Sequence, residues 1–132
     1  SNIEGVNSAP DLLFSSGALQ YVDDPEIYLN KLLSINSKYM LFSRMTLCSG
    51  LNNIYTIQQS MLSDNGPGSL PEGYKNRKIF CPHTTMSYQN FLDKILVDYE
   101  IDWEFDDGSG VHNIPGENII GKGYLFKRKS YN

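Results

Sequence analysis

Two stretches, Asp11 to Ser16 (DLLFSS) and Ser37 to Arg44 (SKYMLFSR), decide the fold. The first is a short apolar run entered through Ala9-Pro10 and left through Gly17, and in the second Tyr39, Met40, Leu41 and Phe42 are consecutive between turn-like flanks. Unbroken apolar runs of this length predict strands buried on both faces of a parallel sheet. Gly17 permits a tight exit from the first. Between the two runs, Asp23-Asp24-Pro25 offers an N-cap and a proline at the first helical position ahead of Ile27, Tyr28, Leu32, Leu33 and Ile35, which predicts a helix of about three turns. Strand, helix and strand within ~35 residues form the crossover unit of a parallel sheet. The expected fold class is therefore α/β, with DLLFSS and YMLFSR side by side, pointing the same way, their tips on one crevice.

Downstream the pattern loosens. Residues 45–85 contain Cys48-Ser49-Gly50, Asn52-Asn53 and the run Ser63 to Gly73 (SDNGPGSLPEG), turn formers without a sustained period. A long functional loop is expected there, with a short helix over Ile54 to Met61. From Ser87 the spacing of Tyr88, Phe91, Leu92, Ile95 and Leu96 predicts a serine-capped helix. Tyr99 to Phe105 (YEIDWEF) alternates apolar residues with acids, as a strand wet on one side does. A glycine-rich link leads to a last strand in Ile119 to Lys129, and with no helix between them these two strands are expected to pair antiparallel.

Composition narrows the function classes. At 132 residues the chain suits one domain but is shorter than a complete doubly wound cofactor-binding domain. A formal charge of −4, with Lys127, Arg128 and Lys129 as the one uninterrupted cationic run, argues against nucleic acid as the main partner, since neutralising phosphates takes many clustered cations. That triplet reads as a solvated strand end that protects an edge. Cys48 and Cys81 lie far apart, with no further Cys or His at metal-site spacing, so free thiols in a cytoplasmic protein are expected, with no metal and no disulfide framework. No apolar run approaches the ~20 residues that span a bilayer, and no membrane partner is expected.

The order strand, helix, strand, long insert, helix, strand, strand resembles the C-terminal half of a class I, Rossmann-like S-adenosylmethionine-dependent methyltransferase, including its terminal antiparallel pair. DLLFSSGALQYVDDPEIYLNKLL (Asp11 to Leu33) is similar to the fourth strand and following helix of such enzymes: a strand ending in a small polar residue, a Leu-(His/Gln)-Tyr turn, then an acidic-Pro helix start. More narrowly, FSSGALQYV, YMLFSR, IYTIQ and KGYLFKRK resemble a bacterial methyltransferase family. Where that family has a Tyr-Pro-aromatic stretch before the last helix, this chain reads IFCPHTTMS (Ile79 to Ser87).

The resemblance implies a single partial domain over residues 1–132, carrying strands four to seven, with residues 45–85 as an insert or lid. The missing half would hold the glycine-rich turn and the acid-ended strand that bind the cofactor. Gly108-Ser109-Gly110 is a lone GxG that opens no helix and does not replace them. The implied cofactor of the full-length protein is S-adenosylmethionine, bound weakly or not at all by this chain, and the implied acceptor is a small molecule or sugar.

Ligands of open α/β sheets lie beyond the carboxyl ends of the strands, which places Ser15, Ser16, Gly17, Leu19 and Gln20 toward the cofactor and the methyl acceptor. The alternative is that the two serines end a strand and Gln20 is surface. Arg44 ends the second strand on the same side, where its guanidinium could hold an anionic group bidentately or pair with Asp23 or Asp24. The resemblance adds Gln58, matching an insert glutamine over the pocket; otherwise it is a polar side chain on a short helix. His83 could serve as a base near neutral pH, but it and His112 read more readily as loop residues. Methyl transfer is governed by positioning and needs a base only for a protonated acceptor, so the lack of a Ser/His/Asp set does not exclude it. The competing reading is a non-catalytic α/β interaction module that forms a homodimer through its exposed first strand.

Overall fold

A computed structural model describes residues 8–107 and 113–130. The chain is α/β: six strands in a mixed sheet with two helices. They are β1 (Leu12–Ser16), α1 (Pro25–Ser34), β2 (Tyr39–Cys48), β3 (Ile54–Met61), β4 (Lys78–Ser87), α2 (Tyr88–Ile95), β5 (Tyr99–Phe105) and β6 (Ile119–Arg128), with a 3-10 turn at Leu19–Tyr21. DLLFSS and YMLFSR pair in parallel, Leu12 opposite Tyr39 through Ser16 opposite Ser43. The last two strands pair antiparallel, and β6 inserts between β5 and β2.

Local chemistry sets the helix starts. The Asp24 carboxylate accepts from the Glu26 and Ile27 amides, each at 3.0 Å, with Pro25 in the first turn. Ser87 accepts from the Asn90 amide at 3.3 Å. A side-chain cap of this kind contributes about 1 kcal/mol. Both helices then bury their apolar stripes on the same face of the sheet. Leu29 and Leu32 of α1 and Phe91, Leu92 and Ile95 of α2 share one core with Met40, Phe42, Tyr124 and Phe126. Phe91 meets Phe42 edge-on at 5.4 Å and Tyr124 stacks on Phe126 at 5.4 Å, contacts worth about 0.5–1.5 kcal/mol each beyond their burial.

Three expectations need correction. First, β1 is not buried on both faces: Leu12 is 50% and Phe14 61% exposed. With α1 and α2 on one face, no helix among the described residues covers the other. Second, Ile54 to Met61 is a strand, not a helix, and residues 78–87 are its antiparallel partner, so residues 45–85 hold a long hairpin. Tyr55 and the β-branched Ile54, Thr56 and Ile57 suit a pleated surface, and the turn-forming run Ser63 to Gly73 lies in the hairpin connection. Pro82 is tolerated because β4 meets β2 just at Met86 and Ser87, leaving one edge of the strand free at Pro82. Third, β5 does not keep one apolar face. A bulge between Ile101 and Trp103 shifts Trp103 and Phe105 to the other side, where Trp103 is 61% exposed and packs at a tilt on Phe105 at 4.7 Å. No described helix is long and apolar enough to cross a membrane.

Candidate functional site

The site is a notch in the sheet. Along one edge β2 pairs with β6. Along the other, β1 covers Tyr39 to Ser43 and β4 covers Leu47 and Cys48, so neither reaches Arg44, Met45 or Thr46. The chain leaving β1 fills part of this gap. Gly17, at a left-handed φ of 56°, donates its amide to the Ser43 carbonyl at 3.0 Å. A Cβ there would meet the Gln20 amide nitrogen at 3.6 Å and the Arg44 Cβ at 3.7 Å, ordinary contacts, so glycine is required for its backbone angle rather than for space. The Gln20 side chain then takes the place of the missing strand: its Nε2 donates to the Arg44 carbonyl at 3.0 Å.

Arg44 itself is held in an unusual state. It does not end the second strand, as expected, but lies inside it, since β2 continues to Cys48; its φ of 54° is left-handed, it sits where the β2–β6 register shifts, and its amide donates to the Asp107 carboxylate. That conformation costs a side chain with a Cβ roughly 1–2 kcal/mol. Strain of this kind at a crevice motivates a functional reading. Asp24 is occupied as the cap of α1, and among the described residues Arg44 forms no ion pair with it or with Asp23.

A polar chamber of about 620 Å³ opens at the notch, lined by Ser16, Gly17, Gln20, Tyr21, Arg44 and Gln58, and closed on the hairpin side by Asp64 to Pro67. Ser43 donates its hydroxyl to Ser16 at 2.9 Å, and the Tyr21 hydroxyl donates to Gln58 Oε1 at 2.9 Å. Gln20 is buried, and its Oε1 has no hydrogen-bond partner among the described residues. Leaving such an acceptor unpaired costs about 1–3 kcal/mol, so a donor supplied from outside would be stabilising here.

Five of the seven site residues expected from sequence thus meet around one chamber. The other two do not line it: Ser15 is buried beside it and Leu19 lies wholly in the core. Gln58 reaches the chamber from a strand rather than from a helix.

Sequence reasoning missed two features. Tyr21 stands between the chamber and an adjoining apolar groove of about 460 Å³, walled by Val22, Tyr55, Ile57, Pro82 and His83. His83 is not a loop residue: it lies in β4, 3% exposed, its ring edge-on to Tyr21 at 5.3 Å. The available signal was the strand propensity of Tyr55 and the β-branched Ile54, Thr56 and Ile57, since it favours a pleated segment over a helix there. His112 and Gly108-Ser109-Gly110 lie outside the described residues.

No family model matches the sequence, and no curated protein matches it. Among solved structures, an S-adenosylmethionine-dependent methyltransferase from Clostridium acetobutylicum ATCC 824 aligns over 98% of this chain and 63% of its own, at a TM-score of 0.48 and 12% identity. The chain spans less than two thirds of that protein's length.

Proposed function

We propose that this chain is the C-terminal, acceptor-side half of an S-adenosylmethionine-dependent methyltransferase that acts on a small molecule or sugar. One observation carries the reading: Ser16, Gly17, Gln20 and Arg44 converge just beyond the carboxyl end of β1, where β2 runs on past it, the side of an open α/β sheet on which ligands bind. Gln58 joins them from the hairpin, which serves as the acceptor-side wall.

The residues present suit one end of the cofactor. When bound, S-adenosylmethionine supplies an electrophilic methyl group. Ser16, the Gly17 backbone and Gln20 would face it, and the unpaired Gln20 Oε1 suits a donor such as an ammonium or hydroxyl. The described residues contain no glycine-rich turn opening a helix and no acid-ended strand for a ribose. Holding the whole cofactor would fall to a segment that pairs with the free edge of β1. What the chain contributes is positioning of the acceptor, the part of methyl transfer that depends on geometry.

Calorimetry with S-adenosylmethionine tests the division of labour: weak or no binding to this chain is expected, and micromolar binding would overturn it. Coding DNA upstream of Ser1 tests the class. A strand with a glycine-rich turn is expected roughly 60–90 residues earlier, on the scale of the absent crossover units.

The exposed Leu12 and Phe14 on β1, whose outer edge pairs with no described strand, favour one further reading, a module that pairs with a second copy. Light scattering separates the two: a stable dimer of the isolated chain favours the module.

A further inference from the structure

We propose that the acceptor is a small hydroxyaryl monocarboxylate, its carboxylate on Arg44 and its ring on Tyr21. The ring extends into the groove walled by Tyr55, Ile57 and Pro82. This rests on the preceding section in calling the ligand an acceptor; the binding itself does not depend on methyl transfer.

Charge argues first. Arg44 occupies a left-handed position that glycine or asparagine would take with less strain, and among the described residues its guanidinium forms no ion pair. The side chain borders a polar chamber in a chain of net charge −4. A planar fork with free donors suits a carboxylate, which it can bind through two parallel hydrogen bonds. Asp64 shares the lining and limits the ligand to one negative charge. A methyl acceptor also needs a nucleophilic atom other than the anion held by Arg44, and a ring hydroxyl meets that need.

Shape argues next. Tyr21 lines both cavities and is 47% exposed. Gln58 holds its hydroxyl and His83 backs its ring, which fixes the ring as a platform. A ligand ring lying on this platform continues from the polar chamber into the apolar groove, as offset aromatic pairs prefer. A ligand without a ring would leave the groove wet, and one without an anion would leave Arg44 unused.

Titration of the 132-residue chain by amide NMR tests this with three probes: 4-hydroxyphenylacetate, 4-methylphenol and acetate. Saturable shifts at Gly17, Tyr21 and Gln58 are expected with the first, and binding roughly tenfold or more weaker with each of the others. Arg44→Asn tolerates the backbone angle and removes the charge, and should bring 4-hydroxyphenylacetate down to the level of 4-methylphenol. Arg44→Lys should retain part of the difference. Equal binding of 4-hydroxyphenylacetate and 4-methylphenol would overturn the proposal, as would no saturable shift at millimolar concentration, or an Asn variant that binds like the parent. If that variant does not fold, the ranking of the probes on the parent chain decides. Binding without methyl transfer by the completed domain would remove the methyltransferase reading alone, and transfer to a ring-free acceptor would remove this one alone.

Discussion

Gln20 and Arg44, 24 residues apart, are joined by a hydrogen bond of 3.0 Å from the glutamine side chain to the arginine backbone carbonyl. A side chain thereby does at this point what a neighbouring strand does elsewhere in the sheet. Gln20→Leu should leave the Arg44 carbonyl short of a partner and destabilise the chain by about 1–3 kcal/mol. Urea unfolding reads this directly, and an unchanged midpoint would show that water replaces the glutamine at no cost.

Arg44→Gly separates stability from function. Relief of the left-handed strain, roughly 1–2 kcal/mol, is offset in part by the greater freedom of glycine in the unfolded chain, about 0.5–1 kcal/mol. The variant should be as stable as the parent or up to about 1.5 kcal/mol more stable, while losing the chamber's affinity for anions. A loss of stability would show that the arginine side chain braces the notch instead.

Gly123 lies directly beneath the Phe105 ring, where an added Cβ would meet ring carbons at 2.2 Å. Phe105 cannot swing away freely, because Trp103 packs on it at 4.7 Å. Gly123→Ala should cost about 1–3 kcal/mol through overpacking. Adding Phe105→Ala should remove most of the steric conflict, so a double-mutant cycle that comes out additive would contradict the geometry.

Alkaline pH should unfold the chain through Tyr124. Burial, with Tyr88 beside it, pushes the Tyr124 hydroxyl above its ordinary value of 10.0. The folded state therefore favours the neutral phenol more than the unfolded state does. Its contribution to stability is complete below pH 10.0 and declines as pH rises beyond that value. Tyrosinate absorbance followed against circular dichroism should show one phenol that ionises together with unfolding, and Tyr124→Phe should lessen the decline.

The crossover unit was legible because both apolar runs and the capped helix between them are local signals that the packed structure does not override. The hairpin was not. Ile54, Ile57, Gln58 and Met61 fall at helical spacing, while Tyr55 and the β-branched residues favour a strand; pairing with β4 decides between them, and that partner lies beyond a turn-rich connection. The site residues that follow β1 could be read from that strand's end, whereas Arg44 was expected to end β2 and instead lies within it, because pairing with β6 carries β2 on to Cys48. Tyr21 as a shared wall and His83 as its support could not, because their meeting depends on the hairpin folding back. The open face of β1 was hidden for the same kind of reason: an apolar run states that a surface should be covered, but not what covers it.

The notch at Arg44 is a matter of counting. Were β1 about three residues longer, its backbone would continue along β2 as far as Leu47, where the end of β4 takes over, the ladder would close, and both the glutamine bridge and the chamber would vanish. Cavity depth in this fold is therefore adjustable by insertion or deletion at the Ser16–Gly17 junction. Relatives with bulkier or smaller ligands would be expected to differ there in length before they differ in the identity of any lining residue.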